Sequence, residues 1–257
     1  MALADRLSKR VHRVRILTID IECAPTIAKV WGLYNQNVSL TQVVEPGRVI
    51  SFAAKYLGEK PVYFSEWDDG HDEMIRQAFR LLSNSDVVVH YNGDRFDLPT
   101  LAWEFAKLGL TRPRPFKSID LLKVARREFR PVSRKLDFVA SELGLGNKVA
   151  HEGFDLWNKV LAGDENARRR FRKYNIQDVV LTEKLYVRLL PWIPSGANLP
   201  LIAGHDTGCP NCGSTKLRMD GATYTALTEF ALYQCSKCGT WVRANVVHNR
   251  TTRRVVR

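Results

Sequence analysis

Residues 14–22, VRILTIDIE, are apolar at almost every position, and an extended segment of that kind needs cover on both faces. It reads as the central strand of a layered α/β sheet. The run closes on Asp20 and Glu22, which fall on one side of a strand about 7 Å apart along the backbone. Two carboxylates that close repel, and a divalent cation is the simplest way to keep both ionised. The alternative is a strand that exits into solvent here with both acids wet.

A second carboxylate sits on an apolar face. In residues 167–193, ARRRFRKYNIQDVVLTEKLYVRLLPWI, the side chains of Phe171, Tyr174, Asp178, Leu181 and Leu185 follow the spacing of one helical stripe. Asp178 therefore points where the apolar side chains point, and a lone buried carboxylate is costly unless paired, hydrogen-bonded or metal-bound. Either it has partners elsewhere in the chain or it lies at the stripe edge and reaches water. The helix should end at Pro191, and the Arg168, Arg169, Arg170, Arg172 and Lys173 cluster of its first turns reads as a solvated face.

From Cys23 to Arg48 no clean period appears. This long excursion carries Trp31 and Tyr34, which either stack on bases or anchor the loop, and for Trp31 anchoring is favoured. Cys23, with no cysteine near it, reads as a small packed side chain. Residues 49–57 and 61–67 follow as two strands about the turn at 58–60, then an amphipathic helix over 72–82 and a short buried strand over 86–91. After NGDRFD a helix starts near Leu98 and Pro99 and runs through Leu108, so that Asp97 is also placed to be its N-cap. Further helices are read over 118–129 and over 133–145, the latter capped by Ser133 and closed near Gly144, and a loop enters a short helix over 151–163.

Residues 191–208 are rich in Pro and Gly and mark a boundary between domains at 1–194 and 195–257. Beyond it stand Cys209-Pro-Asn-Cys212-Gly and Cys235-Ser-Lys-Cys238-Gly, with 22 residues between Cys212 and Cys235. Two CxxCG turns offer Cys209, Cys212, Cys235 and Cys238 as four thiolates for one tetrahedral Zn²⁺. The runs KLRMD and EFALYQC between them suit the strands of a zinc ribbon whose folding free energy comes largely from the metal. Thiolates used this way point to a reducing, cytoplasmic compartment, and the N-terminus has no apolar segment with a cleavage site after it.

The chain holds 39 Lys and Arg against 27 Asp and Glu, a formal +12, which favours a polyanionic partner such as nucleic acid. Residues 197–257 contribute eight basic against three acidic side chains and end in NRTTRRVVR. No run approaches the roughly 18–20 apolar residues of a membrane span. With Asp20, Glu22, Asp97 and Asp178 brought together by such an α/β order, two oxygen-loving divalent cations would complete a phosphoryl-transfer site. Tyr174, one turn before Asp178, could then orient the attacking water.

ILTIDIE, HYNGDRFDLP and YNIQD resemble, in order and spacing, the three motifs of the DnaQ-like DEDD 3′-5′ exonucleases. Tyr174 with Asp178 matches the tyrosine subclass, which includes the proofreading domains of family B DNA polymerases. The resemblance covers roughly residues 13–190. It implies a ribonuclease H-like mixed β-sheet flanked by helices, followed here by the small C-terminal zinc ribbon. It further implies that Asp20, Glu22 and Asp178 bind a first Mg²⁺ or Mn²⁺, that Asp20 reaches a second, that Asp97 acts through the waters of that second ion, and that Tyr174 helps place the nucleophile. Asn92 would lie near the substrate strand or in the loop that holds Asp97, and Phe96 near the substrate strand. The activity implied is 3′-5′ exonuclease cleavage of DNA from a 3′ end. An RNA or structure-selective substrate, a nucleic-acid-binding adaptor acting through the ribbon, and a replication or repair protein as partner remain open alternatives.

Overall fold

The structure is a computed structural model that describes residues 13–148, 152–194, 196–225 and 228–247. Along the chain run β1 (Ile16–Ala24), β2 (Ile27–Ala28), β3 (Val43–Glu45), β4 (Arg48–Tyr56), β5 (Val62–Ser65), α1 (His71–Ser83), β6 (Val87–His90) and α2 (Asp97–Lys107). They continue with β7 (Lys117–Asp120), α3 (Leu121–Glu128), α4 (Leu136–Glu142), α5 (Phe154–Leu161), α6 (Glu165–Leu189), α7 (Leu199–Ala203), β8 (Leu217–Tyr224), β9 (Glu229–Cys235) and β10 (Trp241–Val247). The basic termini, 1–12 and 248–257, lie outside the described residues, as does His151 at the head of the loop before α5.

Residues 15–186 form one compact unit. Its five strands lie in the order β5-β4-β1-β6-β7, with β1 antiparallel to β4 and parallel to β6. The strand read as central from its apolar run is central. Alternation along β1 sends Leu17, Ile19 and Ile21 into a core with Phe52, Met74, Ile75, Leu101 and Phe105, beneath α1 and α2. The opposite face packs Ala24 and Ile50 against Leu156, Val160, Ala167 and Phe171 of α5 and α6. Asp20 and Glu22, out of phase with Ile19 and Ile21, are thereby turned away from the first core.

Several local expectations are corrected. Residues 118–120 belong to β7 and not to a helix: parallel pairing with β6 from Val87↔Lys117 to His90↔Asp120 outweighs the local helical pattern. The helix there is α3, and the Asp120 side chain caps it by accepting from the Leu122 N–H. Ser133 caps no helix; its hydroxyl accepts from the Lys135 N–H at 3.3 Å, and α4 begins only at Leu136. Trp31 is not an anchor: it is 99% exposed, in the loop between β2 and β3, whose two strands pair with each other as a sheet separate from the five-stranded one. Cys23 does pack, against the core under α1 and α2.

Of the described chain, the second unit holds residues 13–14 and 187–247. Its three-stranded antiparallel sheet, ordered β10-β9-β8, contains the two runs read as strands between the cysteine pairs. Among the described residues no helix is long and apolar enough to cross a membrane.

Candidate metal centre

β1 and β6 pair only from Ile16↔Val87 to Thr18↔Val89. Beyond Thr18 the edge of β1 is open, and the Ile21 N–H, which has lost a strand partner, donates to Asp97 Oδ1 at 3.1 Å. Asp97, the first residue of α2, thus binds the strand that carries Asp20 and Glu22 rather than capping its own helix. A register shift in the β1–β4 ladder follows Glu22 immediately. Such a bulge bends a strand and ends regular pairing.

From the other side, α6 brings Asp178 to the strand. One carboxylate oxygen from each of Asp20, Glu22 and Asp178 lies within 4.8 Å of the others. Asp97 is outside that tight group, yet its negative charge is felt at Asp20. Asn175 is fully buried on α6 and donates from Nδ2 to Asp20 Oδ2 at 2.9 Å and to the Asp20 carbonyl at 3.2 Å. Lys148 reaches in after α4, pairs with Asp178 and stands 3.5 Å from the Tyr174 hydroxyl. Its ammonium also lies 5.3 Å over the Tyr174 ring.

The electrostatics are those of a site short of positive charge. Burial, then the charges of Asp97, Glu22 and Asp178, push the Asp20 carboxyl well above the usual range. Burial and Asp178 push Glu22 up to about 8, against the opposing pull of Lys148. Burial also raises Asp97, although the Ile21 N–H resists. Tyr174 is raised by burial and by Glu22, Asp178 and Asp20, so its hydroxyl stays protonated and acts as a donor. One ammonium cannot neutralise four carboxylates. The donor set fits hard divalent cations, which take oxygen ligands and restore the ionised forms.

The loop into Asp97 is braced from below. His90 is fully buried; its Nδ1 accepts from the Gly93 N–H at 2.9 Å, so Nε2 carries the proton toward Ser118 Oγ at 2.8 Å. Ser118 donates on to Asp94, which also takes Lys123 Nζ at 2.6 Å. The His90 Nε2–H, 3.3 Å from Asp94 Oδ1, together with Lys123 and Ser118, holds Asp94 well below the usual carboxylate range against its burial. A Cβ on Gly93 would lie 2.4 Å from His90 Cγ, so only glycine fits. Asn92 turns the chain at φ 72° and donates its N–H to Asp120 at 2.9 Å, a left-handed position that asparagine tolerates. Phe96 is 47% exposed at the lip of α2.

Sequence reasoning missed Lys148 and Asn175. Asn175 had a signal, since it sits three residues before Asp178 on the same helix. Lys148 had none, because a single lysine after a glycine-rich loop looks like any surface lysine. The arginines of α6 keep their bland reading: Arg168 lies 5.0 Å over Trp67, Arg172 lies 5.3 Å over Tyr63, and Arg170 pairs with Glu152.

In the second unit the four cysteines are free thiols whose sulfurs lie within 4.8 Å of one another. Gly213 and Gly239, at φ 72° and 80°, make the tight turns that return N–H groups to the carbonyls of Cys209 and Cys235, each at 2.8 Å. Burial would raise Cys235, but the N–H groups of Cys238 and Lys237 outweigh it and bring the thiol to about 7. Asn211, between the first two cysteines, donates to the carbonyls of Leu190 at 2.7 Å and Ile193 at 3.0 Å. The cluster is consistent with zinc.

A family model of the RNase_H superfamily matches residues 47–190. That is more than half of the chain, and the chain belongs to this superfamily. The match includes Asp97, Tyr174 and Asp178 and begins after β1. The fold is also similar to a solved structure, the family B DNA polymerase of the hyperthermophilic archaeon Pyrobaculum calidifontis, with a TM-score of 0.53 and 18% identity over 86% of this chain. The chain spans about a third of that polymerase, 32% of its length. No curated protein matches it.

Proposed function

We propose that this chain is a metal-dependent 3′-5′ exonuclease that hydrolyses DNA phosphodiester bonds from a 3′ end. The observation that carries the reading is the convergence of Asp20, Glu22 and Asp178 oxygens within 4.8 Å on a ribonuclease H-like sheet, beside Asp97 on the Ile21 N–H. Two bound Mg²⁺ or Mn²⁺ ions would supply a lowered pKa for the attacking water and stabilisation of the leaving oxygen. Asp20, Glu22 and Asp178 would hold the first ion, Asp20 would reach the second, and Asp97 would act through the second ion's waters.

The chain's own residues do the remaining work. Asn175 fixes the Asp20 carboxylate, so a ligand oxygen is oriented before any ion arrives. Tyr174, held protonated, donates toward the nucleophile and cannot serve as the general base. Lys148 tempers the repulsion among the acids. Phe96 offers an exposed ring on which a terminal base could stack, and Asn92 shapes the loop behind it. The four cysteines take one structural Zn²⁺, and we assign residues 1–194 to the nuclease and 195–257 to the ribbon with its basic tail. Thiolate zinc ligation suits a cytoplasmic protein acting on DNA, with replication or repair proteins as the natural class of partner.

The test is digestion of a 5′-labelled oligonucleotide with Mg²⁺ or Mn²⁺, run beside an RNA strand of the same sequence. The expected product is a ladder shortening from the 3′ end of the DNA with release of nucleoside 5′-monophosphates. A substrate left intact under both metals would sink the reading, and faster loss of the RNA would replace the substrate.

A further inference from the structure

Beyond the acidic cluster, a concavity of about 540 Å³ opens where α3 ends, lined by Arg126, Arg127, Glu128, Phe129, Arg130 and Arg134. Four guanidinium groups face one carboxylate. Arg127 pairs with Glu128 at 3.1 Å, while among the described residues Arg126, Arg130 and Arg134 have no carboxylate within 4.0 Å. Some other cations of this unit are matched, Arg48 with Glu66, Lys55 with Glu183, Arg114 with Asp86 and Lys123 with Asp94. The carbonyls at the end of α3 answer part of the charge of Arg126 and Arg127, which lie in its last turn. Arg130 and Arg134 lie beyond the helix and gain little from it.

We propose that this concavity binds the phosphodiester backbone of the strand being cut, an inference that rests on the nuclease reading above. Unpaired like charges gathered in a hollow repel one another, and a polyanion relieves that repulsion while releasing its own counterions. The planar fork of arginine matches phosphate oxygens in a bidentate manner. Placement supports the same substrate. The Tyr91 hydroxyl donates to the Arg134 carbonyl at 2.5 Å, and the next residue, Asn92, donates its N–H to Asp120, the cap of α3. The stretch from the cap of α3 to Arg134, which carries these arginines, is thus tied at both ends to the start of the loop that delivers Asp97.

Fluorescence anisotropy of the full chain with a 5′-fluorescein oligothymidylate, in buffer without added Mg²⁺ or Mn²⁺ and over a range of KCl, reads the site without cleavage. Arg130→Gln/Arg134→Gln is compared with the charge-matched Arg76→Gln/Arg80→Gln on α1. For the first variant the slope of log affinity against log salt should become shallower by about 1.4, about 0.7 for each lost phosphate contact, with binding about tenfold weaker at low salt. The α1 variant should keep the wild-type slope. An unchanged slope in the first variant, or an equal change in both, overturns the site. Failure of the nuclease reading shows separately, as wild-type protein that leaves the strand uncut with Mg²⁺ and Mn²⁺, and the anisotropy result is read independently of it.

Discussion

Glu22 without metal is a carboxyl pushed up to about 8 by burial and by Asp178, against 4.5 for an unperturbed glutamate. Between those values the folded chain binds a proton that the unfolded chain has released, so stability falls as pH rises through the window. Asp20, raised for the same reasons, acts in the same sense. The thermal midpoint of EDTA-treated protein should therefore drop between about pH 5 and about pH 8.5. Adding Mn²⁺ should recover about 2–4 °C or more at the alkaline end, the response expected for roughly 1 kcal/mol in a chain of this size, and far less at the acid end. Scanning fluorimetry of wild type and Glu22→Gln checks this. A metal effect that is equal at both ends, or undiminished by the substitution, contradicts the assignment.

Elements set the geometry that these residues exploit. β1 separates from β6 after Thr18, Asp97 fills the gap at Ile21, and the loop before Asp97 rests on buried His90. Gly93→Ala would drive a methyl to 2.4 Å from His90 Cγ, and the ring cannot yield while Ser118 and the Gly93 N–H hold it. We expect a loss of roughly 1–3 kcal/mol in stability and about a hundredfold loss of metal-dependent cleavage from displacement of Asp97. Denaturant titration and initial rates measure the two, and a variant that cuts like wild type shows that this brace does not set Asp97. Legibility follows the range of the interactions at this level. The apolar run of β1 and the stripe of α6 were readable because period and burial are local properties. β7 was not, because Lys117–Asp120 becomes a strand only through pairing with β6. The exposure of Trp31 was hidden for a related reason: whether an aromatic ring finds a core depends on what lies beneath its loop.

On the scale of the whole molecule, the described chain divides into a ribonuclease H-like unit and a small three-stranded unit with four convergent thiols. The thiol cluster was legible at once, since both CxxCG turns carry their geometry in the spacing. Three of the four acids were legible as anomalies, on a strand end and on an apolar stripe. Their convergence needed the sheet order, and Lys148 and the arginine concavity needed the folded chain. We propose a catalytic role for the convergent acids. It is tested most directly by the initial rate of oligonucleotide cleavage in saturating Mn²⁺ for wild type and Asp20→Asn, a change that keeps size and removes the shared ligand charge. The expected result is a loss of about a thousandfold or more, on the order of 4 kcal/mol in transition-state stabilisation, with the fold intact by circular dichroism. A rate within about tenfold of wild type would contradict it.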